Sequence, residues 1–547
     1  MAQRAFGGPA GWPLLAFLGF AALSLLVYRQ ALHGPFVSDD LGYLGANPYT
    51  ASLSAESIGT LLDPRSEAKL YTANYAPLHL LLHAFERQIF ADETLGYHLV
   101  NVAIHAACAA LLAALLAASG VPRPGALLGA ALFALHPANV EAVAWISQLK
   151  TVGALALALA ALLAWGRRPG LATVLFALAL LTKASAAAAL PMAAALSWAR
   201  RSGVRHRIWL AVQVAVLALY AIPQWEAMGR VGGVEVAAFA DPFVQLRTVA
   251  AVGTRYLVMA ATGYGVSAFQ EPAPSTSWLD PWWLAALPLG ALLAWRTLRG
   301  LVRRREEAAW WIGAAAAFAP VSQVFPFLNP VADRYLYFLL PGLIGGTLLA
   351  AGELGRRRGA LGVAGLAAGA ALAAVFAIQS SERARLWSNP TLLYLDAAEH
   401  YPDGGTAWFL RARRAAAEGD VGAAVDALRR ASERGIDTYL AIWQDPAFAR
   451  FRRHPDFVAV VREIAGRWLD SARRRGYSTQ AELRAVAQAH WLREEYAEAE
   501  AALEAGLAAV GPQEEQLRRE LAQVRERIAA GEARRGDGGA GDRERQP

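Results

Sequence analysis

Cysteine and charge are both scarce in this sequence. Cys108 is the single cysteine among 547 residues, so no intramolecular disulfide can form and the compartment cannot be read from cysteine content. Charged residues make up 18% and apolar residues 56% of the chain, against about 25% and about 45–50% in soluble globular proteins. This apolar excess excludes an ordinary soluble protein and indicates a membrane domain.

Several motifs with a known chemistry are also missing. The sequence has no H-E-x-x-H or cysteine metal-binding spacing, no phosphate-cradling glycine loop and no G-x-S-x-G elbow. No small-residue cleavage site follows the first apolar run, which therefore predicts an uncleaved first span. The net charge of +7 lies mainly in short arginine-rich loops between apolar runs, which indicates membrane topology and not nucleic-acid binding.

The apolar runs predict eleven membrane-spanning helices, since a span needs about 20 mostly apolar residues. The predicted spans are 11–30, 97–118, 125–143, 150–165, 171–185, 186–199, 208–224, 280–299, 309–326, 335–354 and 360–380. The stretch 243–262 is apolar as well but carries Arg247 and Arg255. We expect it to form an interfacial helix within a long external loop.

Arginine placement predicts the orientation of these spans. Arginines fill every second loop: Arg123, Arg167 with Arg168, Arg200 to Arg207, Arg296 to Arg305, and Arg356 to Arg358. The positive-inside rule makes these loops cytoplasmic. The loops 31–96, 225–279 and 327–334 then lie outside, and an odd number of spans places the C-terminal part outside as well.

Charge becomes dense after about residue 380, which predicts a separate soluble part. Small and apolar residues recur at matching offsets around the turns at Gly419 and Glu495, and this resembles tetratricopeptide helix pairs. The predicted domains are a membrane domain over 1–385, an extracytoplasmic tetratricopeptide-like domain over 386–529 and a disordered tail over 530–547. The fold class is therefore all-α.

Four clusters of polar side chains stand beside the apolar runs. Ionisable groups at membrane depth are costly unless paired or facing water, so each cluster marks a candidate site. In chain order the clusters are Ser38-Asp39-Asp40 with Tyr43 and Asn47; His98, Asn101 and His105; His136, Asn139, Glu141 and Lys150; and Asp333, Arg334, Tyr335 and Tyr337. The topology places the first, third and fourth clusters and Lys183 at one external face.

Each cluster also has a structural interpretation. Asp39 and Asp40 could cap a helix, and the three residues around His98 could bond neighbouring helices. Asp333 and Arg334 could form an ion pair with each other, and Lys183 could reach the membrane surface from a span end. The residues alone leave these alternatives open.

Five of these motifs, in one order, resemble the TMTC family within the GT-C superfamily of polyprenyl-phosphate-dependent glycosyltransferases. They are Asp39-Asp40, Tyr75-Ala76-Pro77-Leu78, His98-Leu99-Val100-Asn101, His136-Pro137 with Glu141 to Trp145, and Ala332 to Tyr337. The family has arginine where this chain has Ala76, and glutamate where it has Ala184. The repeat-bearing tail extends the resemblance, and the bacterial members place the chain in a bacterial inner membrane.

The resemblance implies transfer of a sugar from a polyprenyl phosphate to an acceptor hydroxyl, with inversion. It implies a base at Asp39 or Asp40 and phosphate contacts from Lys183, Arg334 and Lys150. Tyr75, His98, Asn101, His136, Glu141, Asp333, Tyr335 and Tyr337 would line the site. A divalent metal at the acid pair stays open, and the repeats would dock an acceptor protein or glycan. The rival interpretations are a non-catalytic envelope scaffold and a lipid or solute transporter.

We predict that the C-terminal part lies outside the cytoplasm, because the arginine-rich loops alternate and the span number is odd. Alkaline phosphatase fused after Pro390 should be active, and green fluorescent protein fused there should be dark. An inactive phosphatase fusion together with a fluorescent green fluorescent protein fusion would show the opposite orientation, with the candidate site at the cytoplasmic face.

Overall fold

The structure is a computed structural model, and it divides the chain into two compact units. It describes residues 11–45, 47–72, 74–229, 237–326, 329–355, 360–509, 511 and 513–541. The first unit comprises 1–44, 49–226 and 233–400, and the second comprises 45–48, 227–232 and 401–547. Arg356 to Arg358, part of the predicted topology, lie outside the described residues.

The first unit is built from helices. They are α1 (Trp12–Tyr28), α2 (Ala55–Leu62), α3 (Pro77–Phe90), α4 (Thr94–Ala118), α5 (Arg123–Ala134), α6 (Asn139–Ala144), α7 (Leu149–Trp165), α8 (Pro169–Thr182), α9 (Ala189–Ala199), α10 (Val204–Gly229), α11 (Pro242–Thr262), α12 (Pro281–Val302), α13 (Glu307–Phe318), α14 (Asp333–Gly355), α15 (Ala360–Leu386) and α16 (Pro390–His400). Seven of them have proline at the first or second position. Proline is favoured there because the first helical N–H groups have no partner within the helix.

The predicted all-α membrane bundle is confirmed. Five helices in the described part are long and apolar enough to cross a membrane: Thr94–Ala118, Ile146–Trp165, Val204–Met228, Asp333–Glu353 and Val363–Leu386. Four shorter apolar helices accompany them, at Trp12–Tyr28, Arg123–Ala134, Pro169–Thr182 and Ala184–Ala199. The apolar core of this unit draws on α1, α4, α5, α7, α8 and α14, and α4 is buried along most of its length.

Three predicted spans need correction. The span 309–326 is too long, because α13 ends at Phe318 and only a 3-10 turn at Ala319–Val321 follows it. The span 125–143 is not one helix, because α5 ends at Ala134 and α6 begins only at Asn139. Pro137 lies in that turn, and proline disfavours helical backbone in the residue before it. The span 171–185 also ends early, since Lys183 has an extended backbone after α8. The helix expected at 243–262 is present as α11, and its interfacial position stays a prediction.

The second unit consists of further helices. They are α17 (Gly405–Glu418), α18 (Val421–Glu433), α19 (Tyr439–Gln444), α20 (Pro455–Arg475), α21 (Gln480–Leu492), α22 (Tyr496–Ala508) and α23 (Glu514–Gly541). The pairs α17–α18 and α21–α22 form hairpins at the two expected turns, and the small residues Ala424, Ala499 and Gly506 are buried between helices. Their assignment as tetratricopeptide repeats stays a prediction.

The ends of this second unit differ from the predicted bounds. Helix α16, expected to begin the soluble domain, belongs to the first unit. Its Asp396 accepts a hydrogen bond from the Ala268 N–H at 2.9 Å and pairs with Arg383 at the end of α15, which explains the later boundary. Helix α23 continues into the segment expected to be disordered, and residues 542–547 lie outside the described part.

Helices α13 and α14 approach closely through glycine. A Cβ atom added to Gly342 on α14 would lie 2.6 Å from the Ala314 backbone nitrogen on α13. A Cβ atom added to Gly346, one turn further, would lie 2.5 Å from the Trp311 ring. Small residues at this spacing let two membrane helices pack backbone to backbone.

We predict that Gly342→Leu destabilises the bundle by about 1–3 kcal/mol, the usual cost of overpacking. Gly352→Leu on the same helix is the matched control, because a Cβ atom there meets nothing within 4 Å. Thermal unfolding of the purified proteins in detergent measures the difference. Equal melting temperatures for the two variants would contradict this packing.

Candidate active site

The segment 37–43, called here the acid-pair segment, is anchored by a buried carboxylate. Asp40 is 1% exposed. One of its oxygens accepts the Ser147 N–H at 2.7 Å, and the other accepts the Val37 N–H at 2.9 Å. The Trp145 indole N–H donates to the Val37 carbonyl at 3.2 Å. Asp40 therefore ties the segment after α1 to the start of α7.

Burial raises the pKa of Asp40 to about 6, although its hydrogen bonds with the Val37 and Ser147 backbone oppose that rise. Burial disfavours the charged form of the Asp40 carboxyl group, and the two N–H donors offset part of that penalty. A carboxylate with both oxygens occupied in this way is suited to positioning. It has little capacity left for a substrate.

Asp39 has the opposite environment. Its side chain is 41% exposed. It accepts a hydrogen bond from the Tyr43 hydroxyl at 3.3 Å and lies 3.7 Å from the Lys150 Nζ atom. Lys150 itself donates to the Tyr43 hydroxyl at 2.8 Å and lies over the Tyr43 ring. Asp39 is thus a held but accessible carboxylate, so the two adjacent acids have different environments.

The backbone before Asp39 is strained. Ser38 has a φ of 49°, in the left-handed region that favours glycine. Such conformations cost of order 1–3 kcal/mol and persist where surrounding contacts enforce them. Here the Asp40 bonds on one side and Trp145 on the other hold the turn. The strain directs Asp39 outward while Asp40 points inward.

Lys183 approaches the same place from the end of α8. Its Nζ atom donates to the Thr151 hydroxyl at 2.6 Å, and that hydroxyl donates to Gln148 at 2.6 Å. The charges of Lys150, Arg334, Glu141 and Asp39 all act on it. No carboxylate of the described residues forms an ion pair with Lys183, in contrast to Lys150.

Arg334 is paired, but not with its neighbour Asp333. Its guanidinium forms an ion pair with Glu141, and its backbone N–H donates to the same carboxylate at 2.7 Å. The proposed pairing of Asp333 with Arg334 is therefore wrong. The Asp333 carboxylate instead accepts hydrogen bonds from Gln270 at 2.7 Å and from the Ser267 N–H at 3.3 Å. At the start of α14, the side chains of Asp333 and Arg334 therefore point in different directions.

Four of the other predicted residues make supporting contacts. Asn101 places its amide nitrogen within 3.3 Å of the carbonyl oxygens of Val143, Trp145 and Ile146. His98 bonds the Gly34 carbonyl at 3.1 Å, and the Tyr337 hydroxyl bonds His105 at 2.8 Å. The Arg334 guanidinium carbon lies over the Tyr335 ring, 4.9 Å from the centroid of that ring.

His136 and Tyr75 lie apart from the acid pair. His136 contacts the Ala260 carbonyl at 3.2 Å and packs against Phe376. The Tyr75 hydroxyl donates to the Leu62 carbonyl at 2.8 Å, and its ring packs against Tyr220 on α10. The structure therefore brings together Asp39, Lys150, Lys183, Arg334 and Glu141, and it leaves these two outside that group.

Sequence reasoning missed two features of the site. His79 on α3 is buried, packs its ring against Tyr43 at 5.5 Å, and has a pKa held well below its usual value by burial. The second feature is lysine scarcity, because Lys69, Lys150 and Lys183 are the only lysines in the chain. Two of the three lie beside the acid pair. A count of the lysines in the sequence would have drawn attention to them.

In the part of the chain that the structure describes, no set of metal ligands is assembled at the acid pair. No group of three or more His, Cys, Asp or Glu side chains in that part is arranged to hold a metal ion. The metal left open at the acid pair therefore has no ready set of protein ligands among these residues, and the roles derived below need none.

Comparisons with known proteins were made on the whole chain. No family model matches it. It is 36% identical over 140 residues to Protein O-mannosyl-transferase Tmtc1 of Drosophila melanogaster, over 24% of this chain and 16% of that protein. It is 31% identical over 148 residues to Protein O-mannosyl-transferase TMTC2 of Mus musculus, over 26% and 17% respectively. The aligned part spans less than a fifth of either relative.

Among solved structures, the chain is similar to ArnT from Cupriavidus metallidurans, a crystal structure bound to undecaprenyl phosphate. The TM-score is 0.36 and the identity 15%, with 91% of this chain and 80% of that chain covered. At that TM-score the likeness supports no residue correspondence. The resemblance to the TMTC family is confirmed by the two curated relatives, over the aligned part of the chain.

We predict that Asp40 makes stability fall as pH rises from about 4 to about 7. Its folded pKa of about 6 lies above the unfolded value of 3.8. Between these two pKa values the folded chain binds a proton that the unfolded chain has released. The resulting stabilisation is complete below the unfolded pKa of 3.8 and is lost as pH rises above the folded pKa of about 6. The amplitude is roughly 2–3 kcal/mol.

Asp40→Asn should flatten this pH dependence, and Asp92→Asn, at an exposed loop position, should leave it unchanged. Melting temperatures in detergent across pH 4–7.5 make the comparison. Parallel profiles for the wild type and Asp40→Asn would contradict the buried, proton-binding state of Asp40.

Proposed function

We propose that this chain is a membrane glycosyltransferase that moves a sugar from a polyprenyl phosphate to an acceptor hydroxyl. The observation that carries the proposal is an accessible carboxylate, Asp39, that pairs with Lys150, together with Lys183, which has a hydroxyl partner and no acid partner among the described residues; both lysines lie at the ends of apolar helices. Glycosyl transfer from a lipid phosphate needs a base for the incoming hydroxyl and positive charge for the departing phosphate.

Asp39 is the proposed base. It is more exposed than Asp40, and it keeps an oxygen free of the Tyr43 hydrogen bond. Tyr43 and Lys150 fix its position, through a hydrogen bond at 3.3 Å and an ion pair at 3.7 Å. Asp40 has the separate role of holding the acid-pair segment. The exposure of Asp39 accordingly favours it over Asp40.

Lys183 is the proposed main contact of the donor phosphate. Arg334 is neutralised by Glu141, and Lys150 is shared with Asp39, so Lys183 is the one of these three cations that no carboxylate of the described residues pairs with. Its hydroxyl partner Thr151 orients the ammonium group without removing its charge. Arg334 then orders the wall of the site through Glu141, Trp145 and Tyr335.

A mainly apolar cavity, lined in part by the last turn of α8, offers a place for the donor lipid. Its volume is about 580 Å³, and it lies between α8 and α10. The side chains that line it include Tyr75, Leu180, Leu181, Val216, Leu219 and Tyr220. Leu180 and Leu181 precede Lys183 by one turn or less on α8, so a phosphate at Lys183 would continue into a tail along this helix.

The proposed reaction is a single displacement. Asp39 takes the proton from the acceptor hydroxyl, whose oxygen forms a bond to the anomeric carbon of the sugar. The bond between that carbon and the phosphate oxygen breaks, and its electron pair stays on the polyprenyl phosphate. One displacement inverts the anomeric centre. The names of the curated relatives make mannose the first sugar to test.

We further propose that the site and the second unit lie on the extracytoplasmic side of a bacterial inner membrane. The alternating arginine loops support this orientation. The helical hairpins of the second unit offer a surface on which an acceptor protein or glycan can dock.

We predict that Asp39→Asn lowers transfer by 100-fold or more, within the range that a positioned base contributes. The assay follows radiolabelled mannose from a polyprenyl phosphate into polymeric material in membranes, beginning with membranes that contain the wild-type chain. Asp92→Asn is the control, because it removes an exposed carboxylate in the same external loop. Both variants should insert and purify as the wild type does.

Near-normal transfer by Asp39→Asn would overturn the assignment of the base. A wild-type chain that transfers none of several lipid-linked sugars would instead favour the scaffold or transporter interpretation.

A further inference from the structure

Three arginines of the second unit converge on one tryptophan. The guanidinium carbons of Arg411 and Arg430 lie 4.2 and 4.5 Å from the Trp408 ring centroid, and that of Arg434 lies at 5.7 Å. Trp408 and Arg411 belong to α17, while Arg430 is on α18 and Arg434 directly follows it. These four side chains are called here the Trp408 arginine cluster.

The cluster is unusual within its own unit because most arginines there are paired with acids. Arg413 pairs with Asp445 at 3.1 Å, Arg414 with Glu418 at 2.9 Å, and Arg484 with Glu520 at 2.8 Å. Arg434 has a distant acid partner, Glu433 at 3.9 Å, and its guanidinium donates to the Arg430 carbonyl at 3.1 Å. Among the described residues, no carboxylate forms an ion pair with Arg411 or Arg430. The cluster therefore concentrates uncompensated positive charge.

Like charges held this close repel one another, and the indole offsets part of that repulsion. A guanidinium group over an aromatic ring is attracted to the negative face of the ring. The contact holds each guanidinium group near the ring, and the Arg411 and Arg430 side chains are exposed to solvent. Arginine forks of this kind fit carboxylates in a bidentate manner.

The surface around the cluster argues against a membrane as its partner. Among the described residues from 401 onward, Tyr477 is the one exposed large hydrophobic side chain, and it is 37% exposed. Interfacial membrane binding needs apolar side chains that enter the lipid beside the cations. Trp408 cannot supply this, because it is partly buried and guanidinium groups lie against its ring. A charged, water-soluble partner fits better.

We propose that the Trp408 arginine cluster is a docking site for an acidic segment of a protein partner. Alternate residues of an extended chain are about 7 Å apart and point to the same side. Two glutamates or aspartates so placed can each meet one of the fixed guanidinium groups of Arg411 and Arg430. Arg434 provides a third contact at the edge. This docking does not depend on the glycosyl transfer proposed above.

The test uses the full chain in detergent and a fluorescein-labelled hexaglutamate peptide, with hexaglutamine as the neutral probe. Fluorescence anisotropy should show binding of hexaglutamate that weakens with salt, and little binding of hexaglutamine. The double variant Arg411→Gln with Arg430→Gln should bind hexaglutamate at least tenfold more weakly. Arg414→Gln, which removes an exposed but paired arginine of the same helix, should stay within twofold of the wild type.

A second variant keeps the test decisive if the double variant unfolds. Arg430→Lys retains the charge but loses the planar fork, so it should bind hexaglutamate a few times more weakly at an unchanged melting temperature. Equal binding by the wild type and both arginine variants would overturn the proposal, and so would an equal loss in Arg414→Gln. Arginine-dependent binding to phosphatidylglycerol vesicles or polygalacturonate, without peptide binding, would also overturn it.

Discussion

The buried carboxylate of Asp40 is the constraint on which the candidate site depends. It joins two parts of the chain that are over a hundred residues apart, through the backbone N–H groups of Val37 and Ser147. A charged group is held inside the protein only where donors replace the lost water. Those donors exist only if the acid-pair segment and the start of α7 meet in one arrangement. The position of Asp39 then follows from that of Asp40.

The charges around Asp39 form a partly balanced set. Glu141 neutralises Arg334, Asp39 faces Lys150, and Lys183 rests on a hydroxyl. Full neutralisation would leave nothing to attract an anionic donor, whereas three unpaired cations beside apolar helices would be too costly. One unbalanced ammonium group is a compromise between these limits. It is consistent with a phosphate that arrives for the reaction and leaves with its lipid.

Much of this was accessible from the sequence, for physical reasons that differ between elements. Long apolar runs such as Thr94–Ala118 predict helices, because in lipid the backbone N–H and C=O groups have to form hydrogen bonds within the segment. Polar groups such as Asp40, Glu141 and Arg334 were identifiable because their burial is costly. Their pairing was not, because Arg334 meets Glu141 across 193 positions while Asp333, its neighbour, turns away. The different exposure of Asp39 and Asp40 likewise depends on the Ser38 backbone, which no spacing rule encodes.

The central claim is that Lys183 receives the phosphate of a polyprenyl donor, and donor binding measures it directly. Binding of undecaprenyl phosphate to the purified protein should weaken at least tenfold in Lys183→Ala, which corresponds to about 1.4 kcal/mol. Arg205→Ala, which removes an exposed cation at the start of α10, should leave the affinity within twofold. Equal affinity in the wild type and Lys183→Ala, or an equal loss in both variants, would contradict the account.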